Sequence, residues 1–563
     1  MILSSISHIA TAQDCFCLEK NRFLFRLRTA KGDIAKVVLH SQDKYLPLSY
    51  KDTREEKEMT LLCSDHTLDY WEAELSFDVI CLRYWFEIID KEGNVAYFAN
   101  RRFLDTAPTL TDEMFDCPQN MREEAVFITP AWAENKVIYQ IFPSRFATSK
   151  NVPDELWYKS PVGSFDDLGG DIKGITEHLE HIRDLGADIV YMTPIFRSNS
   201  SHKYDTIDYY SIDPSFGTKE DIIGLVDKAH SLGLKVILDA VFNHSGRDFF
   251  AFKDVREKGE NSEYLDWYFI DELPIKDNYE GTPGYKTFGY THHMPKLNLK
   301  NPTVAEYFTD VALYWLRECH IDGWRLDVAD EIAHSLWKQF RKRIKAEFPE
   351  ALIIGEIWHI AEDFLQGDEW DTVMNYPFYD AVLRLSKKNS VTGFSEDMSF
   401  LKGNLHPKVL PLLWNLIDSH DTPRLLNQCA GDKRKMKMVS AIQLLQPGMP
   451  MIYYGDEFAM QGAADPDCRR GMLWKEEYQD RDMFRWYQSL LKLRKEYPEL
   501  LSRDAKEITD EENGIIIRHA GKRTVVFHCK DGKITLPEFN GKTDMITEKV
   551  CDGTFAGYEV KIF

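Results

Sequence analysis

Apolar and polar positions change their rhythm twice along this chain. Up to about residue 120 the rhythm is that of strands. Phe23, Phe25 and Leu27 fall on alternate positions, Lys31, Gly32 and Asp33 make a turn before the apolar run at 37–39, and the runs at 84–89 and 95–98 flank a second turn at 90–93. This predicts a β-sandwich. From about 125 to 498, apolar runs at 137–142, 188–196, 235–242, 323–328, 351–357, 372–378, 411–419 and 449–454 alternate with helical periodicity. Thr218 and Asp221 carry the signature of a capping box opening a helix over 219–232, which Gly233 stops. Pro302 opens another helix, with Val304, Phe308, Val311, Trp315, Leu316 and Cys319 on one face.

Eight strands alternating with helices predict an α/β fold, a (β/α)8 TIM barrel. The third and fourth runs lie about 80 residues apart, more than a crossover needs. Within that gap, 245–300 is rich in Gly, Pro, Tyr and Asp and reads as an inserted subdomain after strand 3. The chain then ends in strand-like segments, GIIIRHA, TVVFHCK and YEVKIF. The predicted organisation is an N-terminal β-sandwich (1–122), a barrel (123–498) carrying the 245–300 insertion, and a small C-terminal β-domain (499–563).

Charge narrows the partners. There are 69 Lys+Arg against 91 Asp+Glu, a formal net charge of −22. Such a surface repels phosphate backbones and anionic lipid, so neither nucleic acid nor a membrane is expected as a partner. No run approaches the roughly 18 apolar residues of a membrane span. The N-terminal segment has no basic residue before Lys20 and does not read as a secretory signal. The ten cysteines contain no C-x-x-C pair, the pattern of scattered reduced thiols in a cytoplasmic protein. His178 and His181 have metal-like spacing without a third ligand nearby, and read as an ordinary helix face. The charge run at 51–58 reads as solvated surface.

Active sites of such barrels lie on the loops that follow the strands. Strand three ends in DAVFNH (Asp239, Asn243, His244), strand four in GWRLD (Arg325, Asp327) and strand five in GEIWH (Glu356, Trp358, His359). Strand seven ends in IDSHDTPR, with His420, Asp421 and Arg424. Carboxylates inside apolar strands are costly unless paired or functional. Three of them, Asp327, Glu356 and Asp421, converge on one rim. With no thiol nucleophile and no phosphate-cradling loop, this set points to glycoside chemistry, in which one carboxylate attacks and another protonates the leaving oxygen. Arg325, two residues before Asp327, points to the same side of its strand and is expected to hold that carboxylate ionised.

These segments resemble the conserved regions of glycoside hydrolase family 13, the α-amylase family. They are most similar to its cyclomaltodextrinase, neopullulanase and maltogenic amylase branch. MPKLN at 294–298, HKYDT at 202–206, YYGDE, and DPDCRR at 465–470 belong to the same likeness. It is dense over about 130–490 and only architectural over 1–120. The resemblance implies that Asp327 is the nucleophile, Glu356 the general acid and then base, and Asp421 a transition-state stabiliser. It further implies that Arg325, His244 and His420 surround the same glucose, with Tyr204 stacking beneath it. Asp465 and Arg469 match contacts to the next sugar on the non-reducing side, and Phe288, Glu331 and Trp358 match positions near the leaving group.

By the same resemblance the substrates are cyclodextrins and maltooligosaccharides, with pullulan as a further candidate and transglycosylation as a side reaction, and the N-terminal module, of carbohydrate-binding type, helps to build a homodimer. An oligo-α-glucosidase or glucanotransferase on the same barrel is the alternative, and a catalytically dead glucan-binding subunit a remote one. No cofactor is required. Relatives often bind calcium near the start of the barrel through an ANGD-like segment. Here that stretch is ATSK (147–150), followed by Gly169 and Asp171, and no metal is expected to bind. Relatives also commonly carry Asn where Asp330 stands, beside Glu331, which bears on the balance between water and sugar as acceptors.

Overall fold

The eight apolar runs of the middle region become eight parallel strands in the computed structural model of the protein. The structure describes every residue except 11–12, 51–52, 101, 119–125 and 277–280. In chain order the strands are β1 (Ile138–Ile141), β2 (Ile189–Met192), β3 (Lys235–Ala240), β4 (Gly323–Leu326), β5 (Leu352–Gly355), β6 (Thr372–Asn375), β7 (Trp414–Leu416) and β8 (Met449–Tyr453). Each pairs with its neighbour in sequence, and β8 pairs with β1, so the barrel is closed. Nearly every strand residue is buried, as expected where side chains fill the inside and helices cover the outside.

All eight strands stop short of the ends of their apolar runs, and for two of them the cause is local. β6 ends at Asn375 because Pro377 sits in the first turn of the helix Tyr376–Lys388, and the Asn375 side chain accepts the Phe378 N–H to cap it. β7 shrinks to Trp414–Leu416, and the polar residues after it belong to a loop. The predicted capping box is present: Thr218 and Asp221 exchange side-chain-to-backbone bonds at the start of Lys219–Ser231. All six residues predicted on one face of Pro302–Cys319 are buried. The segment after β3 forms a short helix, Phe250–Lys258, and isolated bridges, of which His244–Lys296 ties it back to the strand end.

The chain divides into two compact units. One comprises Met1–Ile128 with Ala361–Asp368 and Ser390–Leu410; the other comprises Thr129–Ile360, Glu369–Asn389 and Pro411–Phe563. The boundary expected at 122/123 lies outside the described residues. The first unit holds two antiparallel sheets whose facing side chains, Phe23, Phe25, Leu27, Val37, Phe86 and Ile88 among them, share one core. Its strand Arg22–Ala30 is buried on both faces, so the alternation read from the sequence is only half of the pattern. Residues from 390–410 cover the second face, where Arg26 is ion-paired to Glu72 at 2.6 Å and donates to the Leu405 carbonyl. In the second unit the barrel is followed by a sheet of Lys506–Asp510, Ile515–Ala520, Arg523–His528 and Val560–Ile562, with a core including Ile515, Val526, Phe539 and Phe555.

Candidate active site

Register builds the centre of the site. β3 and β4 pair so that Asp239 lies opposite Arg325, and Asp327 follows two residues after that arginine. The Arg325 guanidinium is fully buried and faces three carboxylates: Asp327 at 2.7 Å, Glu356 at 2.8 Å and Asp239 at 3.0 Å. The tyrosine hydroxyls of Tyr191 and Tyr204 also donate to Asp239, at 2.6 and 3.3 Å. Three negative groups share one positive group in a dry place. Burial pushes the Asp327 carboxyl well above the usual range against the pull of Arg325, and Glu356 and Asp239 push it further. Burial likewise pushes Asp239 up to about 6. Arg325 makes the expected contact and pulls the Asp327 carboxyl down, while burial, the larger effect, and the Glu356 and Asp239 carboxylates push it up.

Backbone geometry places the second carboxylate. Val328, directly after Asp327, has φ +46° and ψ 47°, a left-handed conformation unfavourable for a β-branched residue by about 1–3 kcal/mol. In that conformation its N–H donates to Glu356 Oε2 at 2.9 Å. Gly355, one residue before Glu356, lies so close to Trp370 that a Cβ would come within 2.3 Å of the indole ring. The strand end is thus fixed against a large side chain, and Glu356 with it. Trp358 stacks on Tyr376 (centroids 3.9 Å, 13°) and its indole N–H faces Glu356 Oε1 at 3.3 Å.

The third carboxylate comes from the loop after β7. Asp421 lies 3.2 Å from His420 Nε2 and 3.3 Å from Arg469, which also pairs with Asp465 at 2.8 Å. Gln140, inside β1, donates to His420 Nδ1 at 2.7 Å. The imidazole proton then sits on Nε2, facing the Tyr204 hydroxyl at 2.5 Å. Burial and the nearby Arg469 and Arg325 hold His420 far below the ordinary histidine range, so it is neutral. Burial and Lys296 push His244 down to about 3, and its Nε2–H donates to the Tyr204 carbonyl at 3.1 Å.

A cavity of about 550 Å³ opens over these groups. Of the twelve residues singled out from the sequence, ten line it: Asp327, Glu356, Asp421, Tyr204, His244, Asp465, Arg469, Phe288, Glu331 and Trp358. Arg325 and His420 lie beneath, fully buried. On the inserted segment, Phe288 stacks on His244 (centroids 5.0 Å, 16°), and Lys296 pairs with Glu331 at 2.9 Å. Asp330 also lines the cavity, 3.7 Å from His359, its carboxyl raised by burial.

Residues 140–484 match the alpha amylase catalytic domain, and residues 1–119 the alpha amylase N-terminal ig-like domain. The chain belongs to the α-amylase family of glycoside hydrolases. A cyclomaltodextrinase of a Bacillus species is 40% identical over 524 residues, 91% of this chain and 92% of that protein. Neopullulanase 2 of Thermoactinomyces vulgaris is 39% identical, with 96% and 94% covered. A solved cyclomaltodextrinase structure superposes with a TM-score of 0.89 at 39% identity, covering 95% of this chain and 93% of that one.

Within this α-amylase site, sequence reasoning had not assigned His202, Met294 and Val328, which also line the cavity, nor Asp239 and Gln140 below it. His202 and Met294 stood inside quoted motifs. Gln140 was visible as the one polar residue in the run 137–142, and Asp239 as a carboxylate ending a strand. The stretch where relatives of the family hold calcium does not fit a cation here. Asp171 accepts the Ser149 N–H and hydroxyl and caps a helix through Gly174 N–H, and Lys150 brings its ammonium within 3.7 Å. A hard cation needs six to eight unengaged oxygens, and a neighbouring ammonium opposes it.

Proposed function

We propose that this protein is a retaining hydrolase of α-glucans that opens cyclodextrins and cleaves α-1,4 bonds of maltooligosaccharides by double displacement. The observation that carries the reading is the convergence of Asp327, Glu356 and Asp421 on one cavity over a single shared guanidinium. An Asp327 oxygen attacks the anomeric carbon, the bond to the leaving oxygen breaks, and a β-glucosyl ester forms. The proton for the leaving oxygen comes from Glu356. Water then enters on the face the leaving group vacated, Glu356 takes its proton, and the α configuration is restored. Asp421 accepts hydrogen bonds from hydroxyls of the distorted sugar, while neutral His420 and Tyr204 define the floor.

Asp465 and Arg469 would bind the next sugar on the non-reducing side, and Phe288, Glu331 and Trp358 the leaving-group sugars. Incubating the purified protein with β-cyclodextrin and resolving the products by chromatography tests the proposal. Ring opening to maltose and glucose is expected. An enzyme inert on the ring that still cuts maltotriose or panose would move the assignment to an oligo-α-glucosidase.

The reading includes catalysis without calcium, because Asp171 is engaged by Ser149 and Gly174 and the Lys150 ammonium lies 3.7 Å from it. Exhaustive EDTA treatment is therefore expected to change kcat/KM by less than about twofold and Tm by less than about 2 °C, since a lost structural ion would lower both. A large fall in either, restored by added calcium, would overturn it. The family likeness and the scattered cysteines support a cytoplasmic homodimer. A solution mass of one chain by gel filtration would remove the dimer.

A further inference from the structure

Beneath the residues that would hold the sugar lies a second pair of carboxylates, with no part in the chemistry described above. Asp418 stands in the loop after β7, shortly before Asp421, and Asp456 opens the single turn Asp456–Phe458 after β8. Both are buried, and their side chains are hydrogen-bonded to each other. Asp418 Oδ2 accepts the Leu425 N–H at 2.7 Å, and Asp456 Oδ1 faces Arg424 at 3.4 Å. The remaining oxygens, Asp418 Oδ1 and Asp456 Oδ2, meet no other donor among the described residues. Carboxylate oxygens only accept, so a bond between the two side chains requires a proton on one of them. Burial raises both carboxyls, and the Asp418 charge raises Asp456 further, which places the proton on Asp456. One buried negative charge then answers the guanidinium of Arg424, and a second would stand unanswered in a dry place. The neighbouring Glu457 is served separately, by the Tyr139 hydroxyl, the Gly455 N–H and His181.

Bonds run from this pair to the substrate side. Arg424, in the loop after β7, donates through its backbone N–H, Nε and Nη1 to the carbonyls of Gly462 at 3.1 Å, Cys468 at 2.8 Å and Tyr454 at 2.7 Å, all beyond β8. Cys468 Sγ and Arg469 Nε return the link, both donating to the His420 carbonyl, at 3.2 and 2.8 Å. The next residue is Asp421, which Arg469 meets at 3.3 Å. The two loops are held face to face, and the spacing between Asp421 and Arg469 depends on that hold.

We propose that Asp456 is a positioning residue for glucan cleavage: the proton it shares with Asp418 fastens the loop after β8 to the loop after β7, and this sets Asp421 and Arg469 around the sugar. The role at the sugar rests on the α-glucan reading given above. What the place requires is a donor rather than a charge, so an amide serves there and an aliphatic side chain does not.

Asp456→Asn keeps a donor toward Asp418, and Asp456→Leu, of similar size, removes it. Fluoride release from α-maltosyl fluoride is followed, with Tm as a check on folding. The Asn variant is expected to keep kcat/KM within about threefold of wild type, and the Leu variant to lose about 20- to 100-fold. In an Asp421→Asn background the Leu substitution should cost less than about threefold more, because the carboxylate it positions is already gone. Amide exchange across 419–425 and 462–470 should quicken in the Leu variant and hold the wild-type rate in the Asn variant. An Asn variant as weak as the Leu one, a Leu variant as active as wild type, or an undiminished Leu penalty in the Asp421→Asn background would overturn the proposal. If the Leu variant does not fold, the Asn variant decides: a loss beyond about tenfold, or faster exchange over those segments, overturns it. A wild type that cleaves no α-glucan would instead remove the α-glucan reading, and the exchange comparison still decides whether Asp456 fastens the loops.

Discussion

Changing Asp327 to Asn is expected to lower kcat/KM on maltooligosaccharides by at least ~10⁴-fold, about 5.5 kcal/mol of lost transition-state stabilisation. The amide occupies the same volume but cannot form the glycosyl ester. The fold should survive. Arg325 keeps Asp239 and Glu356 as partners, and one of three crowded negative charges is gone, so Tm should hold or rise slightly. A smaller variant, Asp327→Ala, leaves space for azide, and with an activated α-maltosyl donor it should yield the β-glycosyl azide, because the anion enters from the nucleophile's face. The wild-type pH profile should agree in sign. Burial raises the Asp327 carboxyl, so the nucleophile is lost as pH falls through a value above the ordinary ~3.9 of an aspartate, and the acid limb of kcat/KM lies correspondingly high. An Asn variant retaining activity within tenfold of wild type would sink the nucleophile assignment.

The barrel was legible because its strands are buried on both faces and so read as continuous apolar runs, each ended by polar residues that the fold needs at its rim. The candidate catalytic groups at those ends stood out for the same reason: Asp327 and Glu356 are carboxylates at places where a structural residue would be apolar. What stayed hidden depends on pairing between distant segments. Nothing in DAVFNH says that Asp239 will share the guanidinium of GWRLD, since that follows from the β3–β4 register. Val328 looks like one more apolar strand residue, yet its left-handed conformation turns an amide toward Glu356. The stretch 390–410 falls between two barrel strands in sequence but packs with the N-terminal sheets, and only the structure reveals that Arg26 inside an apolar strand is answered by Glu72 and Leu405.

Glu356→Gln separates the two chemical steps. On maltooligosaccharides the leaving alkoxide needs a proton, and losing the acid should reduce kcat/KM by about 10²–10⁴-fold. An α-maltosyl fluoride leaves without that proton, so its first step should survive and the glycosyl ester should accumulate, because no base remains to activate water. A burst of fluoride release followed by a slow steady state is the expected trace. Azide needs no base and should restore turnover, giving the α-glycosyl azide, the opposite anomer from that of Asp327→Ala. The geometry supports the proposal that one residue serves both steps. Glu356 Oε2 is held by the Val328 amide and Arg325, while Oε1 accepts the indole N–H of the half-exposed Trp358. The held oxygen fixes the orientation, and the other is the one able to pass a proton to a leaving oxygen and take one from water. Trp358→Phe tests that division: it keeps the ring stacked on Tyr376 but removes the N–H, and it should change kcat/KM far less than Glu356→Gln. If Glu356→Gln lost fluoride release as completely as it lost maltooligosaccharide cleavage, the residue would be acting on the ester-forming step itself, and the acid–base role would have to go to another group in the cavity.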